Sequence, residues 1–236
     1  PKDVVSGDFY WMTEVEGRVF ITVADCTGHG VPGALMSMIC SSLLSQSVNE
    51  KRIEKPDEIF FEVRKGIIKA LKQKGEIGGR KEGMDASLCI IDTKKRSLEF
   101  AGANNPAYLI RSQGNPLVNA RGEKLEAGIQ ENGTCLYELK ADHQPVGYHS
   151  AEQKPFTLSE IILEKGDMIY LLTDGYQDQF GGKMGKKFMI RRLKQLFVQV
   201  YDNAPEKQQE FFKQTLSEWM GSNEQVDDVS LIGIKV

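Results

Sequence analysis

Asp8, Asp25, Asp174 and the pair Asp227-Asp228 are the residues of this chain best placed to do chemistry, each standing at the end of an apolar stretch or beside one. Asp25 leaves Arg18-Val19-Phe20-Ile21-Thr22-Val23-Ala24 and enters the glycine-rich run Cys26-Thr27-Gly28-His29-Gly30. Asp174 leaves Met168 to Thr173 directly into Gly175, which repeats the theme. A carboxylate released from a stiff strand into glycines lets backbone and ligand come close. Carboxylates that converge repel one another and raise each other's pKa unless cations neutralise them, so convergence would imply metal. No His or Cys cluster accompanies them, and an all-oxygen set selects magnesium or manganese over zinc. Paired hard cations suit hydrolysis of a phosphate ester by water. Against this stands a plainer reading, in which the aspartates are unrelated turn residues.

The elements that would position these residues can be read in order. Val5 to Trp11 reads as a strand with Asp8 inside a run of large side chains, a costly place for a carboxylate unless it is paired or bound to metal. Met12 to Gly17 reads as a polar hairpin turn into the strand that ends at Asp25, which would set Asp8 and Asp25 at comparable depth. Ala34, Leu35, Met38, Ile39, Ser42 and Leu43 recur at helical spacing after Pro32 and read as a core face. A second helix is expected from Pro56 to Lys74, with Ile59, Val63, Ile67, Ala70 and Leu71 inward. Gly75 to Gly83 reads as a loop, followed by strands at Ala86–Asp92, Ser97–Ala101 and Ala107–Arg111 in an antiparallel meander. Asn115 to His149 is expected at the surface. Phe156–Glu164 and Met168–Thr173 read as strands, Gly181–Lys187 as a mobile basic loop, and Lys187–Tyr201 and Pro205–Met220 as amphipathic helices. A last strand follows Asp227-Asp228. Helices placed between groups of antiparallel strands do not make repeated βαβ units, so a layered α+β domain is predicted.

The bulk properties exclude several classes. With 236 residues, 40% hydrophobic and 27% charged, the chain suits one large domain or two small ones and argues against disorder. A net charge of −3 gives no general attraction to nucleic acid or to an anionic membrane. The longest apolar stretch, Val31 to Leu44, is too short to cross a bilayer, and no signal peptide opens the chain. Cys26, Cys40, Cys89 and Cys135 form no CxxC pair and none is followed by arginine at the spacing of a cysteine phosphatase. A reducing, cytoplasmic setting is expected. Pro at position 1, with a motif almost at once, predicts a domain excised from a longer signalling protein with upstream sensor or regulatory parts.

Taken together, Ser6-Gly7-Asp8-Phe9-Tyr10-Trp11, Ala24-Asp25-Cys26-Thr27-Gly28-His29-Gly30-Val31-Pro32-Gly33-Ala34-Leu35, Leu172-Thr173-Asp174-Gly175 and Val226-Asp227-Asp228-Val229-Ser230 carry a resemblance. In type and order they resemble the metal-dependent protein phosphatases (PPM, type 2C-like), and closely their bacterial SpoIIE-like branch with its RsbU-type regulators of sigma factors. The resemblance covers essentially the whole of 1–236 as a single domain.

What the resemblance implies is a four-layer αββα sandwich of two antiparallel sheets flanked by helices, with a two-ion manganese or magnesium centre at one edge. Asp25 would bridge the ions, Asp8 and the Cys26 carbonyl would serve one, and Asp174 with Asp227 the other, while Asp228 would support them. A water bridging the ions would attack a phosphoserine or phosphothreonine ester directly, without a phosphoenzyme. His29 is implied either as a proton donor to the departing oxygen or as a helix-entry residue. Asp85 would be either an additional metal ligand or a cap before its strand. The implied partner is a phosphorylated protein, such as an anti-sigma-factor antagonist; a homodimer is compatible with the resemblance, and neither nucleic acid nor a membrane is implied. Ala101-Gly102-Ala103-Asn104-Asn105-Pro106 departs from the branch pattern by lacking its His, and the basic loop Gly182 to Lys187 is either a flap over substrate or a solvated loop. Two rival readings are a catalytically silent interaction domain of the same fold and a Ser-His-Asp hydrolase, for which no nucleophile elbow is present.

Overall fold

Strand alternation sorts the apolar residues of this chain into three layers. The computed structural model describes residues 1–73, 82–112, 116–149 and 154–236. The chain opens with β1 (Asp8–Val15), β2 (Arg18–Cys26), α1 (Gly30–Ser45), a π-helical turn at Gln46–Glu50 and α2 (Pro56–Ala70). Then follow β3 (Gly83–Asp92), β4 (Ser97–Ala103), β5 (Ala107–Ser112), β6 (Ile129–Glu131), β7 (Thr134–Leu139), β8 (Val146–Gly147) and β9 (Ser159–Ile162). It closes with β10 (Met168–Leu172), the single turn α3 (Gly175–Asp178), a short hairpin β11 (Phe180–Gly181) and β12 (Lys186–Lys187), α4 (Ile190–Val200), α5 (Pro205–Met220) and β13 (Leu231–Lys235). One antiparallel sheet runs β1-β2-β3-β4-β9, with β8 paired to β3, and the other runs β13-β10-β5-β7-β6.

Each strand serves two cores at once. Phe20, Ala24, Leu88 and Ile90 turn outward to meet α1 and α2, while Ile21, Val23, Cys89 and Ile91 turn inward to the gap between sheets. In the second sheet Leu109, Ile169 and Leu171 fill the gap, while Tyr108, Met168 and Tyr170 meet Leu193, Phe197 and Phe212 of α4 and α5. Tyr170 stacks on Phe197 with ring centroids 4.2 Å apart, and burying an aromatic or aliphatic side chain of this size contributes about 1.5–3 kcal/mol. The expected αββα sandwich is therefore observed.

Several boundaries differ from expectation for identifiable reasons. β1 continues through Val15, and the turn shrinks to Glu16 (φ 55°) and Gly17 (φ 78°), the left-handed pair that a two-residue hairpin demands. The core face of α1 is Gly33, Met36, Cys40 and Leu44, whereas Leu35 and Met38 are 56% and 67% exposed. An all-apolar helix gives periodicity no contrast from which to choose a face. With its π-helical extension this helix reaches 21 residues, long and apolar enough by composition to span a bilayer, which exceeds the expected stretch; it packs on the first sheet through Met36, Cys40, Leu44 and Val48. α2 ends at Ala70, short of Lys74, and Ala70 itself is exposed.

The expected meander is broken as well. β4 and β5 lie in different sheets, and the Asn104-Asn105-Pro106 turn, with Asn104 at φ 56°, carries the chain across. β7, expected at the surface, is a central strand with Cys135, Leu136, Tyr137 and Leu139 buried. The loop predicted at Gly75–Gly83 lies, up to residue 81, outside the described residues, as does Asn115. All four cysteines are free and buried.

Candidate metal centre

The site grows from register. Asp8 stands directly opposite Asp25 across β1 and β2, and Asp25 directly opposite Asp85 across β2 and β3. Three aspartates thus form a row across neighbouring strands, on one face of the sheet. Because Ile21 and Val23 point into the gap between sheets, the period of two turns Asp25 the same way, at the rim where apolar packing ends. Asp85 lies within β3, two residues from its start, so the capping role before the strand is not the observed one. Its Oδ1 accepts a 2.7 Å hydrogen bond from Asn104 Nδ2, and its backbone carbonyl accepts one of 3.1 Å from Asn105 Nδ2. The sheet-crossing turn therefore also holds this carboxylate.

The second sheet supplies the rest. β10 runs out at Leu172, and Thr173 donates from Oγ1 to Asp8 Oδ2 at 2.5 Å, tying the two sheets together at the rim. Asp174 sits at the start of α3, and Gly175 packs so tightly that a Cβ there would lie 1.8 Å from the Asp228 carbonyl oxygen. That contact fixes the Asp174 turn against the loop bearing Asp227. Asp228 does a different job: its Oδ1 accepts from the Lys2 backbone N–H at 2.5 Å and its Oδ2 from Gly7 N–H at 3.0 Å. Burial would raise its pKa, yet hydrogen bonds from Lys2, Ser6 and Gly7 outweigh that and hold it below the usual carboxylate range. Asp228 is a strut for the segment leading into Asp8.

The carboxylates also act on one another electrostatically. Burial first, then the charges of Asp8, Asp174, Asp227 and Asp85, push the Asp25 carboxyl up to about 8. Burial raises Asp8 to about 6, against the hydrogen bonds from Thr173 and Ser230, with Asp228 and Asp227 adding to the rise. Asp174 is raised by burial and then by Asp178, Asp227 and Asp85, with Lys187 opposing. Asp85 is raised by burial, against the Asn104 hydrogen bond. Among the described residues no three His, Cys, Asp or Glu side chains are close enough together to enclose one ion. The carboxylates share a field without being in contact. This donor set, all oxygen and partly buried, fits hard divalent cations.

The glycine turn beside Asp25 is equally constrained. Gly28 has φ 92°, and a Cβ on Gly33 or Gly7 would lie 2.4 Å or 2.7 Å from the Gly28 carbonyl oxygen. Cys26 turns its thiol into the core against Cys40, where the hydrogen bond to that thiol and burial push its pKa up, so its side chain is no ligand and only its carbonyl is on offer. His29 lies at the N-terminal cap of α1, its side chain 78% exposed, with Nδ1 3.4 Å from Asp3 Oδ2. Its observed partner is thus Asp3, and no hydrogen bond or ion pair links it to the four aspartates among the described residues. The basic stretch expected as a mobile loop is the tip of the β11–β12 hairpin, and Lys187 donates to Asp178 at 2.7 Å. Thr173 and Asn104 are the positioning residues that sequence reasoning missed. Thr173 shares the inward parity of Ile169 and Leu171, a signal that was present in the sequence.

A four-layer sandwich with a row of aspartates at the rim between its sheets is the PP2C type of fold. The chain belongs to the SpoIIE family, whose model, described as Stage II sporulation protein E (SpoIIE), matches residues 15–236. It is 25% identical over 183 residues to phosphoserine phosphatase RsbU of Bacillus subtilis (strain 168), a match covering 74% of this chain and 44% of that protein. The chain thus spans less than half the length of that relative. Among solved structures it is similar to the SiaA-PP2C domain of Pseudomonas aeruginosa, with a TM-score of 0.81 and 30% identity over 100% of this chain and 83% of that one. It also shares its fold with the PP2C phosphatase domain of SpoIIE from Bacillus subtilis, at TM-score 0.68 and 17% identity, covering 99% of this chain and 59% of that one.

Proposed function

We propose that this chain is a metal-dependent phosphoserine/phosphothreonine protein phosphatase, the output domain of a bacterial signalling protein acting in the cytoplasm. The observation that carries the reading is the alignment of Asp8 with Asp25 across two strands, where burial first and then the charges of Asp8, Asp174, Asp227 and Asp85 push the Asp25 carboxyl up to about 8. Asp25, Asp8 and the Cys26 carbonyl, with Asp174 and Asp227, would hold two manganese or magnesium ions. Two such cations supply Lewis acidity, making water a better nucleophile at neutral pH and neutralising charge on a phosphoryl group. The protein's share is positioning. Thr173 orients the Asp8 carboxylate, Asn104 orients Asp85, Asp228 anchors the segment before Asp8, and Gly175 seats the Asp174 turn.

His29 is exposed at the glycine turn beside Asp3, and in this reading it would give a proton to the departing serine or threonine oxygen. The resemblance to RsbU-type regulators makes a phosphorylated anti-sigma-factor antagonist the proposed substrate. Release of phosphate from a phosphoserine peptide, followed across a manganese titration and reversed by a chelator, tests the reading. A folded protein that binds manganese at this site yet releases no phosphate from any phosphopeptide or aryl phosphate would instead establish the silent interaction domain.

A further inference from the structure

A groove of about 650 Å³ lies between the β11–β12 hairpin and the start of α4. Its floor is apolar: Phe188 is buried, and Trp219 of α5 meets it edge-on with ring centroids 5.3 Å apart. The hairpin wall is fixed, because Gly182 N–H donates to the Trp219 carbonyl at 2.7 Å and a Cβ on Gly182 would meet the Trp219 ring at 2.6 Å. Arg192 lies over the same ring, 4.2 Å from its centroid. The groove therefore exists before any partner arrives.

Its chemistry is one-sided. Between Asp178 and Asp202 the sequence carries six cations, Lys183, Lys186, Lys187, Arg191, Arg192 and Lys194, and no acid. The chain as a whole has a net charge of −3, so the remainder carries −9. Lys187 pairs with Asp178 and Lys194 with Glu138, while Lys183, Lys186 and Arg191 are exposed and make no ion pair among the described residues. Two methionines, Met184 and Met189, stand 76% and 57% exposed on the two walls, and flexible thioethers adapt to varied apolar partners. The groove also adjoins the acidic centre: Lys187 lines it, bonds Asp178 and acts electrostatically on Asp174.

We infer that this groove docks an acidic, apolar-flanked segment of the phosphoprotein substrate, so that charge complementarity beside the catalytic rim selects which phosphoserine enters. The inference rests on the phosphatase reading for the word substrate, and its test separates the two. An acidic segment meets three cations that make no ion pair among the described residues and two apolar anchors here, beside a rim whose aspartates repel it. Opposite charge across such a surface steers encounter and sets specificity more than it adds affinity.

The test uses the whole chain with charge reversals K183E, K186E and R191E, singly and together, each checked for folding by its thermal melt. The probes are a fluorescent serine peptide rich in Asp, Glu and Leu, with and without phosphate, its lysine-rich counterpart, and para-nitrophenyl phosphate. The triple variant is expected to raise KM for the acidic phosphopeptide about tenfold while kcat on the aryl phosphate stays within about twofold. Anisotropy of the unphosphorylated acidic peptide is expected to fall in parallel and to be abolished near 0.5 M salt, where the Debye length is only about 4 Å. An unchanged KM and unchanged anisotropy would overturn the inference, as would equal binding of the lysine-rich peptide or tighter binding of duplex DNA. Should the wild-type chain turn over neither substrate, the phosphatase reading fails, and the anisotropy measurement still decides whether the groove binds an acidic segment.

Discussion

The Thr173 hydroxyl of one sheet donates a 2.5 Å hydrogen bond to the Asp8 carboxylate of the other. Thr173 is buried, and its Oγ1 also accepts from Ser230 N–H at 3.0 Å, so one hydroxyl locks the rim of the sandwich and aims a candidate ligand. Thr173→Val keeps the shape and removes both bonds. Leaving Ser230 N–H and Asp8 without that partner is expected to cost about 1–3 kcal/mol of stability and to weaken manganese binding about tenfold or more. Calorimetric titration of manganese checks this, with Thr173→Ser expected to restore binding.

Asp25 is the residue on which function and stability oppose each other most directly. Its carboxylate is raised to about 8 by burial and four neighbouring carboxylates, so the metal-free fold bears its charge at a cost. Asp25→Asn removes that charge while keeping the shape. Phosphatase turnover is expected to fall on the order of a hundredfold or more, while the metal-free protein melts higher at pH 8, by about 2–4 °C per kcal/mol relieved. A turn aspartate without function would show neither the loss of turnover nor the gain in stability.

The same repulsion sets a pH dependence whose sign can be worked out. Asp8 and Asp25 have folded-state values of about 6 and about 8, both above the ordinary 3.8. Their favourable contribution is fully present below about pH 3.8 and is lost as pH rises through about 6 and then about 8. The metal-free protein should therefore lose stability between about pH 4 and pH 8, and manganese should restore most at the alkaline end, where protons no longer compete. Thermal melts across that range, with and without manganese, give the comparison; a manganese effect that shrinks with rising pH would refute it.

Gly175 allows the Asp174 turn to lie on the Asp228 backbone, with room for no side chain: a Cβ would meet the Asp228 carbonyl oxygen at 1.8 Å. Gly175→Ala must therefore push the Asp174 turn and the Asp227 loop apart. Since Asp228 also anchors Lys2 and Gly7, the shift would be passed on to Asp8. The expected result is weakened manganese binding together with a destabilisation of about 1–3 kcal/mol, the usual cost of overpacking. Asp228→Asn offers the milder comparison, because it loosens the amino-terminal segment without moving Asp174.

The layered fold and the acidic positions are legible in the sequence because an aspartate at or beside the end of an apolar strand combines a local signal with a chemical one. Asp174 meets Gly175 directly, Asp25 enters a glycine-rich run, and Asp8 and Asp227 stand beside strands; register sets Asp8 opposite Asp25, and Asp174 and Asp227 act on Asp25 through their charge. The partition of strands between the sheets was not legible. β4 and β5 read as a simple hairpin, and only Asn104 in the left-handed region ahead of Pro106 carries the chain from one sheet to the other. β7 was hidden because Thr134-Cys135-Leu136-Tyr137 is short and flanked by polar turns, so only its pairing with β5 explains its burial. The inward side of α1 was misassigned since apolar residues surround it on every side.

Arg111 and Asp167 supply the final prediction, far from the chemistry. Arg111 Nε and Nη2 donate to the two carboxylate oxygens of Asp167 at 2.8 Å and 2.6 Å, and both side chains are buried. Asp167 also accepts from Glu164 N–H at 2.8 Å, which closes the turn leading into β10. Loss of the Asp167 charge leaves buried Arg111 with the half-exposed Glu164 carboxylate at 3.4 Å and the Ile162 carbonyl at 3.0 Å, so the expected cost is about 1–3 kcal/mol, below the roughly 3–5 kcal/mol of a fully stranded buried charge. Asp167→Asn is thus expected to lower the denaturation midpoint sharply while leaving kcat of the surviving folded fraction within about twofold, because no carboxylate of the rim contacts this pair. Urea denaturation alongside aryl phosphate turnover measures both quantities on one sample. A loss of kcat equal in scale to that of Asp25→Asn would show that the β10 turn positions Asp174, and would contradict a purely structural role for the pair.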